Sequence, residues 1–354
     1  ARETFQETLH RQLGAAGASA AYTGKKPKSF TPKEIHKHLD KYVIGQEEYK
    51  KRICIAASYH FAMIRYLRDN PGASAVRRFR KKNTIIAGPS GSGKTYCAEV
   101  LGDLLEVPTL IVDATDYTEM GYVGKSADDM IRELIDLAPG SNREEQAHFI
   151  SHYGGIIFID EIDKKAKDGT LIGHDISREG FQRSVLKLIE RKLISIDNPY
   201  SPASQIQEAM ERQQGRTGVK KEKMISTENI LFVLGGSFER TGENLESIVK
   251  QRVERKGTVK EDGSIVIRGF DTIARENEKD KFKNYYKEAG ADDYIRFGLL
   301  PELVGRVPIR TFVNLLSKND LILIMTDTED SILDQYKVEF LLFDIDLEFS
   351  QEAI

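Results

Sequence analysis

Short, unbroken apolar runs alternate along this chain with stretches in which apolar residues recur every three or four positions. Thr84–Ala87, Thr109–Val112, Ile156–Ile159 and Ile230–Leu234 are rich in β-branched residues and show no alternating polarity, so they predict strands buried on both faces. Between them, Thr95–Leu105, Ala127–Leu137 and Gly180–Arg191 carry helical spacing, the last with Phe181, Val185, Leu188 and Ile189 on one face. Buried strands separated by helices predict an α/β fold with a parallel sheet flanked by helices. Upstream, Thr31-Pro32-Lys33-Glu34 reads as a helix start, with Thr31 as N-cap, Pro32 at the first helical position and Glu34 closing a capping box. A longer helix is expected over Glu47 to Leu67, ending at the loop Asn70-Pro71-Gly72. Residues 1–30 read as a flexible tail, because AAGASAA and GKKPK bury little. Two polar stretches, 195–227 and 254–288, are too long for ordinary connections and read as insertions.

Composition narrows the class. At 354 residues the chain has room for about two domains, and 40% hydrophobic residues suffice for a large core. With 52 basic and 55 acidic side chains the net charge is −3, which argues against a polybasic nucleic-acid binder. The basic run Arg77-Arg78-Phe79-Arg80-Lys81-Lys82 directly precedes the first strand and reads as a solvated connection. The two cysteines, Cys54 and Cys97, cannot make a disulfide framework or a four-cysteine zinc site. No run approaches the ~20 apolar residues of a membrane span, and the first residues lack the apolar centre of a signal peptide. The expectation is a cytoplasmic protein with no membrane or nucleic-acid partner.

The chemistry concentrates in two places. Gly88-Pro-Ser-Gly-Ser-Gly-Lys94-Thr95 fits G-x-x-x-x-G-K-[ST] and lies between a strand and a helix. Glycines let backbone N–H groups curl around phosphate oxygens, and the helix start adds its dipole. Pro89, Ser90, Gly91, Ser92, Gly93, Lys94, Thr95 and the following Tyr96 are therefore the candidate ATP-binding residues, Lys94 for the β- and γ-phosphates and Thr95 for Mg2+. Further on, an apolar strand ends in Asp160-Glu161. Asp160 is placed to organise the Mg2+ shell, and Glu161 to polarise a water against the γ-phosphate.

Tyr42-Val43-Ile44-Gly45-Gln46, the GPSGSGKT loop, Asp113-Ala114-Thr115 followed by Gly121-Tyr122-Val123-Gly124, IIFIDEID at 156–163, Ser177-Arg-Glu-Gly180, ILFVLGG at 230–236 and Phe297-Gly-Leu-Leu-Pro301-Glu-Leu-Val-Gly305-Arg306 together resemble the ClpX family of AAA+ protein unfoldases. The HslU relatives share part of this pattern but carry a large insertion ahead of the acidic strand, where about thirty residues stand here. The resemblance implies an AAA+ ATPase domain over 31–313 and the beginning of a small helical lid over 314–354. It implies that Val43 and Ile44 clamp adenine, and that Arg306 is an arginine finger reaching a neighbouring subunit's nucleotide, hence a homo-hexamer. It also implies that Tyr122 and Val123 grip polypeptide substrates in an axial pore, with Asp168–Arg178 as a second pore loop.

The chain departs from that pattern in several places. No zinc-binding segment is possible with Cys54 and Cys97 inside the ATPase. The tripeptide that docks a ClpP-type protease is interrupted, in Ile265-Val-Ile267-Arg268-Gly269-Phe270. A basic stretch, Asn198–Lys223, replaces a short entrance loop, Ser237 stands where a polar sensor is usual, and 314–354 offers no match for a second sensor arginine. The resulting expectation is an ATP-dependent unfoldase, with a protease partner through 265–270 left open. The alternative is a non-processive AAA+ remodelling ATPase that switches partner binding without degradation.

Overall fold

The computed structural model describes residues 28–70, 80–118, 125–168, 172–197, 223–240, 244–255, 258–259, 265–266, 284–329 and 331–350. The first helix, α1 (Pro32–Leu39), starts on the capping box written in its sequence: Glu34 N–H donates to Thr31 Oγ1 at 3.3 Å and Thr31 N–H to the Glu34 carboxylate at 2.7 Å. Order begins slightly earlier than the sequence suggests. Phe30 already packs on the core, and Ser58 donates to its carbonyl at 2.9 Å; residues 1–27 lie outside the described set.

Helix α2 (Glu47–Asp69) leads to β1 (Thr84–Ala87), α3 (Lys94–Leu105) and β2 (Thr109–Asp113). Two short strands, β3 (Tyr117–Thr118) and β4 (Lys125–Ser126), precede α4 (Asp129–Asp136), α5 (Arg143–Tyr153) and β5 (Gly155–Asp160). Next come α6 (Ile172–Arg191), β6 (Leu193–Ser195), β7 (Met224–Ser226) and β8 (Ile230–Gly236). The chain continues through α7 (Leu245–Arg255), β9 (Thr258–Val259), β10 (Ile265–Val266), α8 (Ala291–Phe297), α9 (Pro301–Arg306) and β11 (Ile309–Phe312). Helices α10 (Lys318–Thr326) and α11 (Ile332–Leu341) close the described chain.

Five strands form one parallel sheet in the order β11-β1-β8-β5-β2. Its residues alternate between two cores. Ile85, Ala87, Ile157, Ile159, Phe232 and Leu234 face one cluster with Phe181, Val185 and Leu188 of α6. Ile86, Ile156, Phe158, Leu231 and Val233 face the other, with Ile53 and Ala57 of α2 and Cys97 and Leu101 of α3. Both faces of the inner strands β1, β5 and β8 are covered, so a large apolar side chain buried there is worth about 1.5–3 kcal/mol, and those runs are continuous.

Several boundaries differ from the sequence reading. The helix expected at Ala127 starts at Asp129, whose carboxylate accepts from Ser126 N–H at 2.8 Å and stops the turn from extending backwards. The helix expected from Gly180 reaches back to Ile172. The polar stretch 195–227 is rooted in an antiparallel ribbon, with Leu193 opposite Ser226 and Ser195 opposite Met224, so order reaches into both of its ends. Within 254–288, Thr258–Val259 pairs antiparallel with Ile265–Val266, and Tyr285–Glu288 makes a single 3-10 turn. Residues 198–222 and 267–283 lie outside the described set.

Candidate functional site

The loop after β1 is shaped by what passes beneath it. Gly88 has φ 145°, and a Cβ there would sit 2.6 Å from Val313 Cγ2 and 2.7 Å from the Val313 carbonyl, so only glycine fits. The chain then reverses through left-handed Gly91 and Gly93 and enters α3 at Lys94. Lys94 is buried, and its ammonium donates to the carbonyls of Gly88 at 2.9 Å and Pro89 at 2.8 Å. Ser92 Oγ also donates to the Pro89 carbonyl, at 2.6 Å. The loop is thus wrapped around one cation. Burial lowers the Lys94 pKa, and the nearby carboxylates, Asp160 foremost, oppose that shift. Ser90 and Gly91 are exposed on the outside of the wrap, and Tyr96 is exposed on the first turn of α3.

The two sequence motifs meet directly. Thr95 Oγ1 donates to Asp160 Oδ2 at 2.8 Å, across the end of β5. Glu161 follows in the left-handed region at φ 54° and is exposed, with its N–H donating to Asp160 Oδ1 at 2.9 Å. Its pKa is raised, first by partial burial and then by Asp113, which pairs in register with Asp160. A proton acceptor thus stands beside the hydroxyl–carboxylate pair, kept more basic than an ordinary glutamate.

Two acidic neighbours were quoted within motifs in the sequence reading but given no role there. Asp113 receives the N–H and hydroxyl of Thr115 at 2.7 and 2.6 Å. Asp163, three residues after Asp160, is buried and accepts from Ser237 Oγ at 3.3 Å. Burial raises its pKa. Its Oδ1 meets no donor among the described residues and lies 2.4 Å from where a Cβ on Gly236 would stand. Gly235 likewise leaves room for Phe158, so the glycine pair ending β8 makes space for the acidic cluster. The density of carboxylates in IDEID was the available signal. Ser237 thereby touches Asp163, one residue type the sensor assignment did not anticipate.

Val43 is buried in the core with α2 and α3, whereas Ile44 is half-buried. Their segment is fixed from below by Lys50, which donates to Asp40 at 2.6 Å and the Val43 carbonyl at 3.2 Å and pairs with Glu47 at 2.7 Å. His36, Asp40 and Glu47 bring ligand-type atoms within 4.8 Å of one another, but the Lys50 ammonium already bridges both carboxylates, which makes this an ion-pair network. Tyr49 OH donates to the Lys94 carbonyl at 2.9 Å, tying α2 to the base of the phosphate loop.

Arg306 is not gathered with these groups. Its carbonyl accepts from Asn83 Nδ2 at 3.2 Å, one residue before β1, whereas Gly88 follows the other end of that strand. Five extended residues span roughly 16 Å. Arg306 is exposed and donates to Glu190 Oε1 at 2.6 Å. Tyr122 and Val123 lie outside the described residues, but their flanks are fixed: Tyr117 pairs with Lys125 and Thr118 with Ser126, and Glu133 receives both Tyr117 OH and the Lys125 ammonium at 2.9 Å. Of 265–270, only Ile265 and Val266 are described. Among the described residues no helix is long and apolar enough to cross a membrane.

A family model for the AAA domain (Cdc48 subfamily) matches residues 80–310. The chain is 35% identical over 327 residues to the ATP-dependent Clp protease ATP-binding subunit ClpX of Treponema denticola, covering 92% of this chain and 69% of that protein. It is 36% identical over 327 residues to the ClpX subunit of Borrelia duttonii, covering 92% and 67%. With that of Bacteroides fragilis it is 33% identical over 357 residues, covering 100% and 75%.

Proposed function

Because the chain belongs to the ClpX family of AAA ATPases, we propose that it is an ATP-driven protein unfoldase working as a homo-hexameric ring. In this reading ATP binds at Pro89–Tyr96, and Lys94 exchanges its two carbonyl acceptors for phosphate oxygens. Val43 and Ile44 border the base. Thr95 and Asp160 fit a magnesium ion, since a hydroxyl and a carboxylate oxygen 2.8 Å apart are hard donors beside the phosphate loop. Bound there, the ion would offset negative charge on the phosphates. Glu161 accepts the proton of the attacking water, a task that its raised pKa suits.

The observation that carries the ring is the position of Arg306 at the opposite end of the sheet from its own phosphate loop. A finger so placed serves a neighbour's γ-phosphate, where it stabilises the charge that develops in transfer. In this reading Tyr122 and Val123, between β3 and β4 in sequence, face the axis, and an aromatic ring grips any polypeptide by apolar contact. The helices α10 and α11 begin a lid, and 265–270 is the segment through which a ClpP-type protease would dock.

A mixing experiment tests the assembly. Glu161→Gln and Arg306→Ala should each abolish ATP hydrolysis alone. Mixed, they should recover part of it, because an intact base in one subunit meets an intact finger in the next. No recovery would reject the shared site. Separately, ATP-driven loss of fluorescence from a tagged green fluorescent substrate should require Tyr122, with Tyr122→Ala sparing hydrolysis. Hydrolysis without unfolding by the unaltered protein would favour the remodelling ATPase instead.

A further inference from the structure

Gln46 occupies the N-cap position of α2 yet caps nothing. It is 5% exposed and sits in the left-handed region at φ 54°, a conformation that costs a non-glycine residue energy. Its side-chain amide is used elsewhere. Nε2 donates to the Ser92 carbonyl at 3.2 Å and the Asn314 carbonyl at 2.9 Å, and Oε1 accepts from Asn314 N–H at 2.7 Å. One amide therefore holds the phosphate loop on one side and both backbone groups of Asn314 on the other. Asn314 is the second residue beyond β11, where the chain leaves the sheet for α10. A second tie joins the same regions: Glu329, between α10 and α11, donates its N–H to the Lys41 carbonyl at 2.8 Å and pairs with the Lys41 ammonium at 2.7 Å.

We propose that Gln46 is a positioning residue that transmits the nucleotide state of the phosphate loop to helices α10 and α11. The inference rests on the reading of 88–95 as the ATP site. Ser92 lies inside that loop, and the proposal requires its peptide to reorient when phosphate binds. Gln46 then cannot keep both partners unless Asn314 follows, and the helices begin four residues later. Coupling of this kind needs a contact that differs between the two states, and the Ser92–Gln46–Asn314 chain supplies it.

The test places spin labels on Glu99→Cys and Leu321→Cys in the full chain, both positions being exposed while native Cys54 and Cys97 are buried. Pulsed electron resonance reads the distance with and without a non-hydrolysable ATP analogue. The distance should change with nucleotide in the parent protein and lose more than half of that change in Gln46→Met, which keeps side-chain volume but not the amide. Affinity for the analogue, measured by fluorescence, should stay within about threefold, while kcat falls about tenfold. Tyr49→Phe removes another buried tie to the loop without touching Asn314, and should retain the distance change. If Gln46→Met fails to fold, Gln46→Gly accepts the positive φ and serves in its place. A distance change that survives loss of the amide, is equally lost in Tyr49→Phe, or is missing from the parent overturns the proposal. Loss of analogue binding by the parent would instead overturn the nucleotide site.

Discussion

The two ends of the central sheet are built on opposite terms. At the end where β1 and β5 finish, Lys94, Thr95 and Asp160 are bonded to the loop or to each other, and glycines at 88, 235 and 236 clear space for them. At the other end, Arg306 stands in solvent, paired only with Glu190 among the described residues. The groups at the first end are bonded within one chain; the cation at the second lies away from its own phosphate loop. In the proposed ring, the bonded cluster is the part of the site supplied in cis and the exposed Arg306 the part supplied in trans.

The sharpest way to break that contrast is to remove a group from the complete end. Glu161→Gln should lower steady-state ATP hydrolysis by about 10³-fold while ATP still binds, measured by phosphate release and by nucleotide fluorescence. Gly88→Ala attacks the same end through the backbone. A Cβ meeting Val313 at a positive φ should cost about 2–4 kcal/mol, visible as a lower urea midpoint by circular dichroism. The pH profile is subtler. Because partial burial and Asp113 raise the Glu161 pKa, kcat should decline as pH falls through that raised value, at higher pH than an ordinary glutamate would give, and Asp113→Asn should move the limb back down. The smallest effect belongs to the far end. Glu190→Gln releases Arg306 from a surface pair, so stability should change by less than about 1 kcal/mol and hydrolysis by less than about threefold. A large loss there would mean that Glu190 places Arg306 for its proposed role rather than merely resting on it.

Strands β1, β5 and β8 were legible because both of their faces are dry. Of the two edge strands, β2 was legible because Thr109-Leu-Ile-Val112 is nonetheless an apolar, β-branched run, whereas in β11 Ile309-Arg-Thr-Phe312 mixes polar and apolar positions. Helix α5 hid for a related reason, burying only Ala147, Phe149 and Ile150. In the site, residues joined by a short motif were readable, since the loop and its lysine are close in sequence. Gln46 was visible as part of a motif but not in its contacts, because its partners are backbone groups at Ser92 and Asn314 that carry no side-chain signature. Asp163 needed the fold to show that β8 ends in two glycines against it.

The two thiols carry a consequence for experiment. Cys97 lies in α3 two residues past Thr95, Cys54 lies on the facing side of α2, and burial pushes each pKa up to about 12. Neither is ionised or accessible while the helices stay docked, so alkylation at either requires that layer to lift from the sheet. Their modification rate is a built-in clock for opening beneath the phosphate loop, one that nucleotide should slow and that needs no added label.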